Sequence, residues 1–233
     1  MLDEDAVVTQ HAFLSAPQCQ QIRDRVLALE PRWIRRADTF FTLGIASYLD
    51  APGRLAEYER QAALHNQVLK SGFDDLYQLL SRFLGSLLGG MVFFDETYSL
   101  PGFHVFLVNG YDRSRENVAA SAHFDLQWMS AIPEWRGTRT LSFTVPIELP
   151  SGGASMEVWH FRHEDALEQR VGAREYAAAH PSQRVPYAPG RMVINDGRML
   201  HAIGRGTDPN PFGRRITLQG HGIETPDGWL LYW

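Results

Sequence analysis

The chain contains a single cysteine, Cys19, and a single lysine, Lys70, in 233 residues. One cysteine excludes an intrachain disulfide and a thiolate metal cluster, so any bound metal is held by His, Asp or Glu. The other 21 cationic residues are arginines, set against 27 acids for a formal net charge of −5, and no basic run occurs. That balance excludes nucleic acid held mainly by its phosphates. No apolar stretch approaches bilayer-crossing length. The opening MLDEDAVVTQ is acidic and lacks the basic-then-apolar layout of a secretion signal. The expectation is a protein of the reducing cytoplasm, with no membrane and no nucleic-acid partner.

What is present is ordinary globular material, 44 % hydrophobic and 21 % charged. The length suits one domain over 1–233, with a helical support region over 1–90 and a β-rich part over 91–233. Ser15 followed by Pro17 marks a helix start, with Ile22, Val26 and Leu29 on one face. A second helix is expected from about Pro52 to Leu69. Ser71 with Asp74 resembles a capping box opening a third, which Gly89-Gly90 ends. Short strands follow: Phe103–Val108, Ala122–Trp128, Thr138–Val145, Ser155–Phe161, Arg191–Asn195, Leu200–Ile203 and Arg214–Ile223, with Trp229–Trp233 a further candidate. A helical insertion near 162–180 separates two of them. These elements predict helices first and a β-sandwich or barrel after.

Alternation along a strand places residues i and i+2 on one face. His123, Asp125 and Gln127 therefore share a face in HFDLQW, and Arg215, Thr217, Gln219 and His221 share one in RITLQGH. Thr140, Ser142 and Thr144 alternate likewise with Leu141, Phe143 and Val145. An antiparallel sheet with its polar face in water has the same pattern. The residue types favour inward polar faces, because His, Asp and Arg at these spacings have joint chemical uses.

His123-x-Asp125 offers an imidazole and a carboxylate to one point, and His201, 78 residues further on, is the best third ligand. Two histidines and one carboxylate on one face of an octahedron leave three positions open, an arrangement suited to Fe(II). Arg215-x-Thr217 follows His201 by 14 residues, and an arginine there can pair with a carboxylate, assisted by the threonine hydroxyl.

This ordered set, His123, Asp125, His201, Arg215 and Thr217, resembles that of the Fe(II)/2-oxoglutarate-dependent dioxygenases over about Phe103 to Glu224. The resemblance implies a mainly β fold with N-terminal helices, a double-stranded β-helix or jelly-roll barrel. It implies that His123, Asp125 and His201 bind Fe(II), and that Arg215 and Thr217 hold the distal carboxylate of 2-oxoglutarate. It further implies that O₂ and 2-oxoglutarate are consumed, with succinate formed, in oxidising a C–H bond. Asp125 keeps the acid that radical halogenases of this type lack, so hydroxylation is the default outcome. The substrate class expected is a small molecule such as a free amino acid or secondary metabolite. The alternatives are a hydroxylase of protein side chains, which needs an open groove, and a non-catalytic cupin-like binding protein.

The remaining candidates have a bland reading beside the functional one. His160 and His163 border the insertion and read as surface or structural. His221 reads as lying near a barrel rim or behind the ligands, and His104 as packing more than contact. Trp128, Trp229, Tyr232 and Trp233 suit a core better than a pocket wall. The loop Asn109–Ser121, with Arg113 and Arg115, is expected at the barrel mouth. No nucleotide-binding glycine pattern follows a strand, and no G-x-S-x-G elbow occurs.

Overall fold

A computed structural model describes residues 8–107, 121–137, 139–204 and 213–233. The expected mouth loop with Arg113 and Arg115 lies outside these, except for Ser121.

The first helix, α1 (Ala16–Ala28), begins as expected: Ser15 is its N-cap, its backbone N–H donating to the Gln18 side chain at 2.8 Å. Downstream, the two helices expected over 52–87 form one 34-residue helix, α3 (Leu55–Leu88), preceded by the short α2 (Ser47–Asp50). Its only break is a kink at Phe73, with φ −144° and ψ 25°. The Ser71–Asp74 capping box does not form. The Ser71 hydroxyl instead donates back to the Val68 carbonyl at 3.0 Å, as serine does inside a continuing helix. Gly89 ends α3 in the left-handed region, φ 70°.

The N-terminal region also supplies strands that the sequence pattern does not reveal. β1 (Thr9–Ala12), β2 (Ile34–Arg35) and β3 (Phe40–Leu43) join a large sheet with β4 (Val92–Phe94), β5 (Gly102–Leu107), β6 (Thr140–Glu148), β9 (Arg191–Asn195), β11 (Arg214–Thr225) and β12 (Gly228–Tyr232). The order is β1-β9-β6-β11-β5-β3-β2, with β12 beside β11 and β4 beside β12. β10 (Met199–Gly204), β7 (Ser155–Arg162) and β8 (Gln183–Pro186) form a smaller antiparallel sheet. α4 (Trp128–Ala131) precedes β6, and the insertion between β7 and β8 holds α5 (His163–Gln169) and α6 (Ala173–Ala179).

The large sheet is apolar on its outer side and polar on its inner one. Leu141, Phe143 and Val145 of β6 and Ile216 and Leu218 of β11 pack with Ile22 and Val26 of α1 and Phe73 and Leu80 of α3. Each such side chain, fully buried, contributes about 1.5–3 kcal/mol. The alternate residues Ser142, Thr144, Arg215, Thr217 and His221 are also buried, facing the barrel interior. Inward polar faces under helix-covered apolar ones are what the strand alternation predicts. Trp229, Tyr232 and Trp233 belong to the packed interior. Gly102 permits this, because a Cβ there would lie 2.2 Å from the Trp233 ring.

Candidate metal centre

The segment HFDLQW departs from the regular strand expected of it. Only His123 pairs, in a bridge to His201 of β10, and α4 begins at Trp128. The bridge is complete: His123 N–H donates to the His201 carbonyl at 2.9 Å, and His201 N–H donates to that of His123 at 3.1 Å. Two residues on, the Asp125 N–H donates to the Gly197 carbonyl at 2.7 Å. Gly197, with φ 75°, turns β9 into β10, and Asn195 accepts its N–H at 2.7 Å. One turn and one bridge thus aim three side chains at one point.

Ligand atoms of His123, Asp125 and His201 lie within 4.8 Å of one another, a group positioned to hold a metal ion. His201 Nε2 is 3.3 Å from Asp125 Oδ2, and His123 Nε2 is 3.6 Å from Oδ1. Each imidazole is oriented from behind. His123 Nδ1 lies 2.6 Å from the Ser121 carbonyl and His201 Nδ1 2.9 Å from that of Met199. A carbonyl only accepts, so both Nδ1 atoms carry hydrogen. Nε2 is left as the atom facing the carboxylate and any metal.

Burial works to raise the Asp125 carboxyl, but the three surrounding imidazoles, His201 foremost, outweigh it and hold the group well below its ordinary range. For His201, burial alone would lower the imidazole, and Asp125 reverses the direction, raising it. His221 is closer to this centre than its place along the strand suggests, with Nδ1 3.9 Å from Asp125 and 2.8 Å from the Ser142 hydroxyl. Its pairing with Ser142 follows from register, since the two stand opposite each other on β11 and β6. Burial, foremost, pushes the His221 imidazole down. Gln127 donates from Nε2 to Asp125 Oδ1 at 3.0 Å, although the strand that was to bring it there has ended.

The centre opens on a cavity of about 560 Å³, within the range of small-molecule sites. Behind its lining, Arg215 is 1 % exposed and Thr217 fully buried. The Arg215 guanidinium lies between two aromatic faces, 5.3 Å from the Tyr187 ring centroid and 5.7 Å from that of Phe106. Among the described residues no carboxylate meets it, and its Nε and Nη2 are buried without a hydrogen-bond partner. Thr217 Oγ1 accepts from Gln219 at 3.4 Å. Arg214 points to the opposite face, 3.3 Å from Glu148, as the alternation requires.

Tyr187 and Phe106 escape the sequence reading. Tyr187 follows β8 between two prolines, and its relation to Arg215 is visible only once β11 is in place. Burial raises its phenol, which therefore stays protonated beside the guanidinium. His104 proves to line the cavity, its Nε2 2.8 Å from the Tyr48 hydroxyl. His160 lies outside, 3.3 Å from Gln183, and His163 packs on Phe124 at 5.5 Å. None of Trp128, Trp229, Tyr232 and Trp233 lines the cavity.

Fold and site together define a jelly-roll barrel with a 2-His-1-carboxylate group facing an internal cavity. No family model matches the sequence, and no curated protein matches it. Solved structures do. The chain is similar to an N-substituted L-amino acid dioxygenase from Burkholderia ambifaria AMMD, with 17 % identity over 99 % of this chain and 87 % of that one, TM-score 0.58. Against the same dioxygenase in complex with alpha-KG the identity is 18 % at the same coverage, TM-score 0.59. At such identity the likeness establishes the fold, which is the double-stranded β-helix expected.

Proposed function

We propose that the chain is an Fe(II)/2-oxoglutarate-dependent dioxygenase that hydroxylates a C–H bond of a small molecule, forming succinate from 2-oxoglutarate. The observation that carries this reading is Arg215. Among the described residues its buried guanidinium meets no counter-charge, an arrangement that costs several kcal/mol and is offset if a ligand supplies the carboxylate. Such a ligand, reaching from Arg215 toward the His123–Asp125–His201 group, would need a carboxylate at its far end and a metal-chelating head. 2-Oxoglutarate has both. The Burkholderia dioxygenase, of the same fold, was solved with alpha-KG.

The donor set fits the metal. Two neutral Nε2 atoms and one carboxylate match Fe(II), and their convergence on one side leaves positions for a bidentate cosubstrate and O₂. Bound there with O₂ and 2-oxoglutarate, the iron supplies the oxidising power for C–H cleavage. The chain's own residues do the rest. The Ser121 and Met199 carbonyls fix the imidazole tautomers, Gln127 orients the Asp125 carboxylate, and Arg215 with Thr217 anchors the cosubstrate. The cavity volume favours a small molecule over a protein side chain, which would need an open groove. A free amino acid or a secondary metabolite fits that size.

Anaerobic addition of Fe(II) and 2-oxoglutarate tests the proposal. A weak visible charge-transfer band is expected for the wild type and its loss for His201→Ala. Absence of the band, with no succinate formed across a substrate screen, would sink the enzyme reading.

A further inference from the structure

The cavity has, among its described lining residues, one charged side chain that neither the metal nor the cosubstrate uses. Among the described residues lining it, Asp125 is the only acid and Arg174 the only arginine or lysine. Arg174 belongs to α6, in the insertion on the small sheet. That helix is firmly seated: the Tyr176 ring stacks on Phe161 at 3.6 Å and 5°, and His180 stacks on Tyr176 at 3.9 Å and 12°. Ala173, Tyr176 and Ala177 face inward, which sets Arg174 at the edge of the buried stripe.

Arg174 has no ion-pair or hydrogen-bond partner among the described residues. An arginine facing bulk water is usually just solvated. Arg174 is exposed, yet it also borders a cleft with low-dielectric walls, where a cation attracts an anionic solute more strongly.

The large sheet supplies a wall of different character. Phe40 of β3 and Phe106 of β5 stack at 4.5 Å and 10°, and His104 stands edge-on to Phe40 at 5.0 Å. This surface offers apolar contact. We infer that the substrate is a carboxylic acid with an apolar body: its carboxylate meets Arg174 while the body lies along the Phe40–Phe106 wall. One guanidinium, the only arginine or lysine among the described lining residues, suits a monoanionic carboxylate better than a phosphate dianion. The inference rests on the oxygenase reading for the meaning of substrate, and on the cavity alone for the binding.

Titration calorimetry with 3-phenylpropionate and its uncharged counterpart 3-phenylpropionamide tests it. The titrations use metal-free protein and anaerobic protein loaded with Fe(II) and 2-oxoglutarate, in which the cosubstrate occupies Arg215. Wild type is expected to prefer the acid by about ten-fold, the size of one charge-assisted contact. Arg174→Ala should bring the acid down to the amide's affinity while leaving amide and 2-oxoglutarate binding unchanged, and Arg174→Lys should retain part of the preference. A wild type that does not prefer the acid, or fails to bind it, overturns the inference, as does an Arg174→Ala protein that binds it undiminished. A wild type that takes up no 2-oxoglutarate defeats the oxygenase reading instead, and the loss of acid preference from wild type to Arg174→Ala in metal-free protein still decides Arg174.

Discussion

His123 and His201 exchange both backbone hydrogen bonds, at 2.9 and 3.1 Å, and their imidazole centroids stand 4.5 Å apart. One comes from an irregular segment and the other from β10. The pair of hydrogen bonds between their backbones gives the irregular one the positional accuracy of a strand residue. Site geometry here depends on that bridge as much as on the side chains.

Fe(II) should stabilise the folded protein by mass action, by about 2.7 kcal/mol at a hundred-fold excess over its Kd. Thermal melts under anaerobic conditions should show an upward shift of Tm in the wild type and none in His123→Ala. An equal shift in both would place the metal elsewhere.

Replacing Arg215 separates cosubstrate from metal. Arg215→Ala should weaken 2-oxoglutarate binding by roughly 10- to 100-fold while Fe(II) affinity stays near wild type. Arg215→Lys should rescue little, because an ammonium lacks the planar fork. Equal loss of both ligands in calorimetry would show that Arg215 supports the metal group.

Gln127 holds one oxygen of Asp125 at 3.0 Å without reaching the metal position itself. Gln127→Leu, similar in volume, should lower Fe(II) affinity by about ten-fold or more, as changes behind metal ligands do. Its urea midpoint should stay close to wild type. Unchanged Fe(II) affinity would deny Gln127 this positioning role.

A Cβ at Gly102 would meet the Trp233 ring at 2.2 Å and the Leu43 carbonyl at 2.8 Å. Gly102→Ala should therefore destabilise the protein by about 1–3 kcal/mol through overpacking, seen as a lower urea midpoint with an unchanged slope. A midpoint equal to wild type would mean that the ring moves aside freely.

Much of the site is legible in the chain because strand alternation is local. Arg215 and Thr217 are assigned to one face and Arg214 to the other from spacing alone, and the β11 ladder places them so. Where the local signal is weak, the reading fails. β1, β2 and β3 span four, two and four residues, too few to show a period, and their pairing partners lie far along the chain. Ser71 and Asp74 have capping chemistry, yet α3 continues past them because its apolar face runs on through Phe73, Leu76 and Leu80. In HFDLQW the alternation brings Gln127 to Asp125's side, but the chain coils at Trp128 to bury residues against Trp135 and Ile132.

The sequence by itself determined the inventory: one cysteine, a His-x-Asp, a distal histidine and an Arg-x-Thr, the last on a strand whose period names its face. Tertiary structure alone decided that His221 joins His123 and His201 around Asp125, that Tyr187 closes over Arg215, and that Arg174 of the insertion borders the same cavity. The physical reason is range. Periodicity and turn chemistry act over a few residues, whereas convergence depends on ladder register and sheet packing between segments tens of residues apart.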